Sequence, residues 1–374
     1  DIMGKKVADQ LVETICRAGI RHIYAVTGDS LNEVNDAVRR AGTVRWVHVR
    51  HEESGAFAAA AESELNGIAC CAGSSGPGHV HLINGLYDAH RSNCPVLAIA
   101  STCPSDQFGT GYFQETDPIR LFDDCSGYNQ MAVTPAQFAR MLPAALQHAI
   151  HRREVAVVGL PGDVAASPCA ESPGASGPLP SHGIYRPLDG ELRQLAEMIG
   201  SAERITVFCG IGAREAHDEV VRLAAMLKAP VAYTFKAKME VQYDNPYEIG
   251  MTGLLGLPSA YGAMHESDLL LLLGTDFPYD CFLPSECRIA QVDIRPERIG
   301  RRARVELGLA GDVKETLQAL FPMLRERSDR VFLDRQLKIY GALCDDMAAV
   351  ASKRGSAGNI APEYVATLID TLAS

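Results

Sequence analysis

The stretch Arg50-His51-Glu52-Glu53 sets a guanidinium, an imidazole and two carboxylates at the end of the apolar run Val44-Arg45-Trp46-Val47-His48-Val49. Residues 54–65, rich in alanine, follow as a helix, because alanine is the best helix former and its small side chain lets a helix pack close to a sheet. A carboxylate at such a handover lies at the carboxyl end of a strand, where open α/β sheets put their ligands. Taken alone, the two acids suit the solvated first turn of a helix better than a site, because a helix N-terminus favours negative charge. Adjacent residues leaving a strand diverge, so one can enter a cleft while the other faces water.

Other residues could share the chemistry. Gly73-Ser74-Ser75-Gly76-Pro77-Gly78 reads as a glycine-rich turn opening a helix, whose backbone N–H groups could face an anion or a polar ring. It lacks the Lys-Ser/Thr ending of an NTP-binding loop, and a plain strand-to-helix turn is the alternative. Further on, Gly210-Ile211-Gly212-Ala213-Arg214-Glu215 is G-x-G-x-x-E, a weak form of the dinucleotide fingerprint. Asp293 at a strand tip suits a ribose hydroxyl, and Gly274-Thr275-Asp276-Phe277-Pro278 ends another strand that could line the same crevice. Together these favour a nucleotide-type cofactor. The loop that carries Phe113 and Gln114 is either an interface loop or a substrate wall. His51, His79, His81 and His90 lack metal-ligand spacing and read as surface histidines or as supports for other groups, so no metal site is expected. No G-x-S-x-G elbow is present.

These residues need a scaffold, and the chain supplies it as strand–helix alternation. Residues 7–18 have helical spacing and end at Gly19; 22–26 form a strand; Asp29 or Ser30 is expected to cap the next helix. Strands follow at 44–49, 68–72, 95–100 and 155–160, with a helix from His79 to about His90. Pro, Gly and Ser then dominate a linker. A second set has strands at 205–209, 230–234, 269–273, 288–293 and 307–310, with helices at 215–227 and 313–324. The fold class is therefore α/β, two doubly wound parallel-sheet domains and a short helical remainder. The expected boundaries are 1–165, a linker at 166–186, 187–327, and 328–374.

Composition bounds the function. With 374 residues, 47% hydrophobic and 22% charged, the chain holds two ordinary domains. A net charge of −11 argues against a nucleic-acid partner, and the one dense basic cluster, 298–304, reads as a solvated face more readily than as an anion site. Eleven cysteines without a C-x-x-C pair read as small buried hydrophobes in a reducing cytoplasm. No charged-then-apolar signal opens the chain and no apolar run reaches membrane-spanning length.

The chain resembles the thiamine-diphosphate-dependent decarboxylase family, most closely its pyruvate-oxidising branch. The matching residues include Val26-Thr27-Gly28-Asp29-Ser30-Leu31, Arg50-His51-Glu52-Glu53, Cys71-Ala72-Gly73-Ser74-Ser75-Gly76-Pro77-Gly78 and His81-Leu82-Ile83-Asn84-Gly85-Leu86. In the second half they include Gly250-Met251-Thr252-Gly253-Leu254, Leu273-Gly274-Thr275 with Phe277-Pro278-Tyr279, and Val292-Asp293-Ile294. The resemblance implies a first domain for the aminopyrimidine of thiamine diphosphate and a middle domain for FAD. A third, which holds the diphosphate through Mg²⁺, has no matching G-D-G…N-N motif here, so the resemblance implies a fragment inactive alone, ending at the opening helix of that domain.

The family's catalytic glutamate falls on Glu52, where a carboxyl group bonded to a pyrimidine nitrogen favours the imino tautomer that deprotonates the thiazolium carbon. By the same resemblance Val26, Thr27, Gly28, Pro77 and Asn84 approach the pyrimidine, while Phe113 and Gln114 face the substrate. Thr252, Gly253, Leu254, Leu255, Thr275, Asp276, Phe277, Pro278, Tyr279 and Asp293 contact FAD. The implied reaction is oxidation of pyruvate to acetate and CO₂ with electrons passed to a quinone, in a cytoplasmic homodimer or homotetramer that touches membranes only through the missing C-terminal part. The alternatives are an acetolactate-synthase-like carboligase and a non-catalytic two-domain binding module.

Overall fold

The computed structural model describes residues 4–170, 183–355 and 359–373. They form two compact units, residues 1–181 and 182–374.

The first unit is built on six parallel strands: β1 (His22–Ala25), β2 (Arg45–His48), β3 (Ala69–Gly73), β4 (Val96–Thr102), β5 (Tyr128–Met131) and β6 (Val155–Pro161). Their order is β2-β1-β3-β4-β6-β5. Every residue of β3, β4 and β6 is buried, as a strand covered on both faces requires. Side chains alternate between two cores: Cys70, Ala72, Leu97 and Ile99 pack with the helices Val7–Arg17, Asn32–Ala41 and Pro135–Arg152, while Cys71, Ala98 and Ala100 face the other way. On that second face lie the helices Glu52–Asn66 and Ile83–Ser92. A Cβ on Gly85 would come within 2.5 Å of the Ala56 Cβ, so alanine and glycine are what let these two helices cross so closely.

The second unit has six parallel strands as well: β7 (Ile205–Cys209), β8 (Val231–Tyr233), β9 (Glu248–Met251), β10 (Leu269–Leu273), β11 (Arg288–Asp293) and β12 (Leu307–Ala310). The order is β12-β11-β10-β7-β8-β9. Counted from β7 this is the 3-2-1-4-5-6 order of dinucleotide-binding sheets, which reverses between β7 and β10. The α/β class with two parallel sheets is as the sequence pattern implies.

Several local expectations are corrected. β5 and β9 were not foreseen: both are short edge strands, half-buried and polar at Asn129, Gln130 and Glu248, without clean alternation. The single helix expected at 79–90 is two, Pro77–Val80 and Ile83–Ser92. Neither Asp29 nor Ser30 caps a helix; Asp29–Leu31 is a 3₁₀ turn in which the Asp29 carboxylate accepts the Ser30 N–H. The helix expected to 324 ends at Leu320, and Pro322 lies in the 3₁₀ turn Phe321–Met323.

Of the expected linker, residues 171–182 lie outside the described residues. Its start folds back on the first unit, where Ser167 accepts from the Val7 N–H and Cys169 donates to the Lys5 carbonyl. In the second unit the helix Val331–Ala351 buries Leu333 and Gln336, and Tyr340 donates to Glu248 of β9 at 3.1 Å. The helix Pro362–Ala373 follows. Among the described residues no helix is long and apolar enough to cross a membrane. Among the described residues no cysteine forms a disulfide; Cys70, Cys71, Cys94, Cys103, Cys125 and Cys209 are buried, and burial pushes the Cys71 thiol up to about 12.

Candidate cofactor site

β2 ends at His48 and the next helix starts at Glu52, with His51 extended at its N-cap and its Nδ1 accepting the Glu53 N–H at 3.3 Å. The adjacent acids diverge. Glu53 turns outward, where Asn84 donates to it. Glu52 turns inward and is only 7% exposed. Its Oε2 lies 3.0 Å from His81 Nδ1, and the His81 ring stacks on His51 at 4.4 Å between centroids. His81 occupies the break between Pro77–Val80 and Ile83–Ser92, so the missed interruption is what brings an imidazole to the carboxylate. Glu52 Oε1 has no hydrogen-bond partner among the described residues, and a Cβ on Gly78 would approach it to 3.4 Å. A nearly buried glutamate that leaves one carboxylate oxygen open beside bare backbone is fitted to receive a polar ring from outside the chain.

The turns after β1 and β3 meet at the point where strand order reverses. A Cβ on Gly28 would stand 2.3 Å from Ser74 Oγ, so only glycine fits that turn as it is packed. Ser30 ties the turns together: its Oγ lies 2.9 Å from Ser74 Oγ and accepts the Ser75 N–H at 3.0 Å. Gln114 joins them, its Oε1 accepting from Ser75 Oγ at 3.1 Å while its backbone passes under Gly76. Phe113, 74% exposed, does not. Val26 is half-buried, and Thr27, Pro77 and Asn84 are exposed around the same turns.

His79 is corrected: it is an interior histidine, with Nδ1 on the Ser101 carbonyl at 2.8 Å and Nε2 on Thr116 Oγ1 at 2.6 Å. Burial holds its pKa below the usual imidazole value. Ser30, Ser74, Ser75 and His81 all lie within stretches singled out in the sequence, but sequence reasoning gave none of them a part of its own in this site.

In the second unit the turns after β7 and β10 interlock. The Gly212 N–H donates to the Gly274 carbonyl at 2.9 Å, and a Cβ on Gly274 (φ +60°) would stand 2.5 Å from Gly212 Cα. Asp293, at the end of β11, is 5% exposed and accepts the Arg295 N–H at 2.9 Å; burial raises its pKa. Thr252 is buried, with an Oγ1 that has no partner among the described residues, and Thr275 is buried nearby in sequence to Asp276. Gly253 lies against Phe277, whose ring is a core residue set edge-on against Phe208 at 5.3 Å. Leu254, Leu255, Pro278 and Tyr279 are exposed. Asp276 is engaged by Arg301 at 3.1 Å and Arg302 at 3.2 Å, which ties part of the 298–304 cluster to a carboxylate.

Residues 5–121 match the family description "Thiamine pyrophosphate enzyme, N-terminal TPP binding domain", and residues 192–320 match "Thiamine pyrophosphate enzyme, central domain". The chain belongs to the thiamine pyrophosphate enzyme family. It is 50% identical over 337 residues to an uncharacterized 42.6 kDa protein in the isoamylase 3′ region of Pseudomonas amyloderamosa, covering 90% of this chain and 85% of that protein. It is 32% identical to pyruvate oxidase of Lactiplantibacillus plantarum, over 83% of this chain and 52% of that enzyme. With the chloroplastic acetolactate synthase of Arabidopsis thaliana it shares 30% identity over 88% of this chain and 51% of that protein. The chain thus spans about half the length of these two enzymes.

The residues present fit the family's cofactor. The unsatisfied Glu52 oxygen, the glycines at 28 and 78 and the Ser30–Ser74 tie form a cradle that larger side chains would fill. In the second unit the orphaned Thr252 hydroxyl and the buried Asp293 suit a nucleotide-type group.

Proposed function

We propose that this chain supplies the pyrimidine-binding and central domains of a thiamine-diphosphate- and FAD-dependent enzyme that oxidises pyruvate to acetate and CO₂ and passes the electrons to a quinone. The observation that carries this reading is the buried Glu52 carboxylate, with one oxygen held by His81 and the other unpartnered beside Gly78. Bound thiamine diphosphate supplies a nucleophilic ring carbon and an electron sink for the departing CO₂. Glu52 Oε1 presents or accepts the proton at a ring nitrogen, while His81 fixes the carboxyl group through Oε2. Val26, Thr27, Gly28 and Pro77 border the ring, and Asn84 keeps Glu53 turned away from it. Gln114, bonded to Ser75, bounds the substrate side together with Phe113.

The second unit's part is to hold the flavin nucleotide. Thr252 Oγ1 offers an unused hydrogen-bonding group and Asp293 a ribose acceptor, with Gly253, Leu254, Leu255, Thr275, Asp276, Pro278 and Tyr279 around them and Phe277 packed behind. Mg²⁺ and the diphosphate would be held by another domain. The working state is a cytoplasmic homodimer or homotetramer.

A second reading is supported by the near-equal likeness to acetolactate synthase: the same Glu52 serving carboligation of two keto acids. Product analysis separates them. The whole protein, given pyruvate, thiamine diphosphate, Mg²⁺ and FAD, should yield acetate in step with reduction of a quinone-like dye. Acetolactate formed without an external acceptor would replace the first reading with the second.

A further inference from the structure

His51, Glu52 and His81 place two ring nitrogens and one carboxylate oxygen within 4.8 Å of one another. We propose that in the cofactor-free chain these three residues bind a borderline divalent cation of the Zn²⁺ type. The donor set is two imidazoles and a carboxylate, the set of zinc sites that keep a fourth position for water. A tetrahedral ion with bonds near 2.0 Å needs ligand atoms roughly 3.3 Å apart, so the triad, now within 4.8 Å, must tighten by at most about 1.5 Å at its widest pair. The side chains can do this at low cost. Glu52 is the fixed member, its side chain 10% exposed at the head of a helix, whereas the side chains of His81 and His51 are 43% and 48% exposed and each is held by a single hydrogen bond. Their rings already stack, so both move along one face.

The surroundings favour the same class of ion. If Nε2 of His51 ligates, Nδ1 carries the ring proton, so it gives up the cap bond from the Glu53 N–H and faces the Glu53 carboxylate 3.7 Å away, where an outer carboxylate orients a ligating imidazole; Asn84 anchors Glu53. Mg²⁺ is disfavoured, since it asks for near-octahedral oxygen ligands and two of the three donors are nitrogen. One consequence rests on the reading given above: with the cation bound, Glu52 cannot serve a pyrimidine nitrogen, so metal and cofactor exclude one another at this carboxylate. The metal site itself stands on the geometry alone.

The test is titration of the EDTA-treated full chain with Zn²⁺ by calorimetry and with Co²⁺ by visible absorption. We expect one equivalent bound and a tetrahedral cobalt spectrum without a thiolate band. Affinity should fall about tenfold or more in either His51→Gln or His81→Gln and vanish in the double variant. Both histidines are exposed, so circular dichroism should show an unchanged fold; Cys281→Ser, which removes the exposed thiol, should bind as wild type. Mg²⁺ should not displace Zn²⁺. Wild-type affinity in the double variant, a thiolate band, or no binding by the wild-type chain would each overturn the site. If Zn²⁺ binds through the triad but leaves thiamine diphosphate affinity of the whole protein unchanged, the metal site holds and the placement of the pyrimidine on Glu52 fails.

Discussion

At the strand-order reversal of the first unit, Gly28 faces a serine side chain; at that of the second, Gly212 and Gly274 face each other's backbone. Each reversal opens near a nearly buried acid, but the acids differ. Glu52 heads a helix and is hydrogen-bonded to the imidazole of His81 beside a neighbouring broken helix. Asp293 ends a strand and is held by one backbone N–H, with burial raising its pKa. The first arrangement joins side chains from three separate segments and suits proton handling. The second is a rigid backbone crevice and suits binding. On the proposed function, the same parallel-sheet architecture gives a reactive end and a holding end, and the two should respond differently to substitution.

The largest expected effect is on rate. Glu52→Gln in the whole protein should cut pyruvate turnover by about 10²-fold or more while leaving urea stability within about 1 kcal/mol, since glutamine fills the same space. Asp293→Asn, by contrast, should act mainly on FAD affinity. Steady-state kinetics and flavin titration on both variants check this; wild-type rates in Glu52→Gln would erase the distinction between the two ends.

Next in size is the glycine contrast. At Gly274 the obstructing atoms are backbone and φ is +60°, so Gly274→Ala should cost the second unit about 2–4 kcal/mol. Gly28 has an extended backbone (φ −157°) that any residue adopts, but an added Cβ would stand 2.3 Å from Ser74 Oγ and 2.4 Å from Ser74 Cβ; the hydroxyl can rotate away at the loss of its bond to Ser30, whereas the Cβ moves only if the two turns part. Gly28→Ala, with overpacking but no backbone strain, should therefore cost about 1–3 kcal/mol, less than Gly274→Ala. Hydrogen exchange in β7 and β10 against β1 and β3 reads the two units separately. Equal losses would mean that the reversals are built alike after all.

A smaller effect belongs to His79. Replacing it with leucine strands the Ser101 carbonyl and the Thr116 hydroxyl, at a cost of about 2 kcal/mol to the first unit. Because its folded pKa is depressed by burial, wild-type stability from this group is complete above the unfolded imidazole value and is lost as pH falls through the folded one. Urea midpoints from neutral to mildly acid pH should thus fall less steeply in His79→Leu than in wild type.

The buried parallel strands were legible because a strand covered on both faces must be apolar throughout, as in Leu269–Leu273 and Val155–Pro161. β5 and β9 were not, because an edge strand half in water has no such demand. At the site, Glu52 was marked by its place between a strand and an alanine helix. His81 was not: its meeting with Glu52 depends on a helix interruption at Leu82, which no proline or glycine at that position announces. Nor did sequence spacing hint that His51 and His81, thirty positions apart, would stack. Phe277 shows the reverse failure, a residue whose neighbours suggest a crevice but whose ring belongs to the core.

The smallest expected effect lies at Asp293. Burial raises its folded pKa above the unfolded value, so between those two values the folded chain binds more protons than the unfolded one. Its contribution is therefore greatest at acid pH and declines as pH rises from the ordinary aspartate range through the raised value, then stays level. An asparagine in its place cannot ionise, yet its side-chain carbonyl can still accept the Arg295 N–H. In Asp293→Asn the second unit should accordingly be at least as stable as wild type at neutral pH and lose this acid-to-neutral decline. Arg298 and Arg295 attract the ionised form, against a repulsion from Asp276 that is smaller than the Arg298 attraction, so the difference should widen modestly in high salt, where the net attraction is screened. Measuring unfolding midpoints at two pH values and two salt concentrations tests both signs. A variant less stable than wild type at neutral pH would mean that the aspartate's charge is part of what holds this unit together, and the contrast with Glu52 would then lie in ligand chemistry alone.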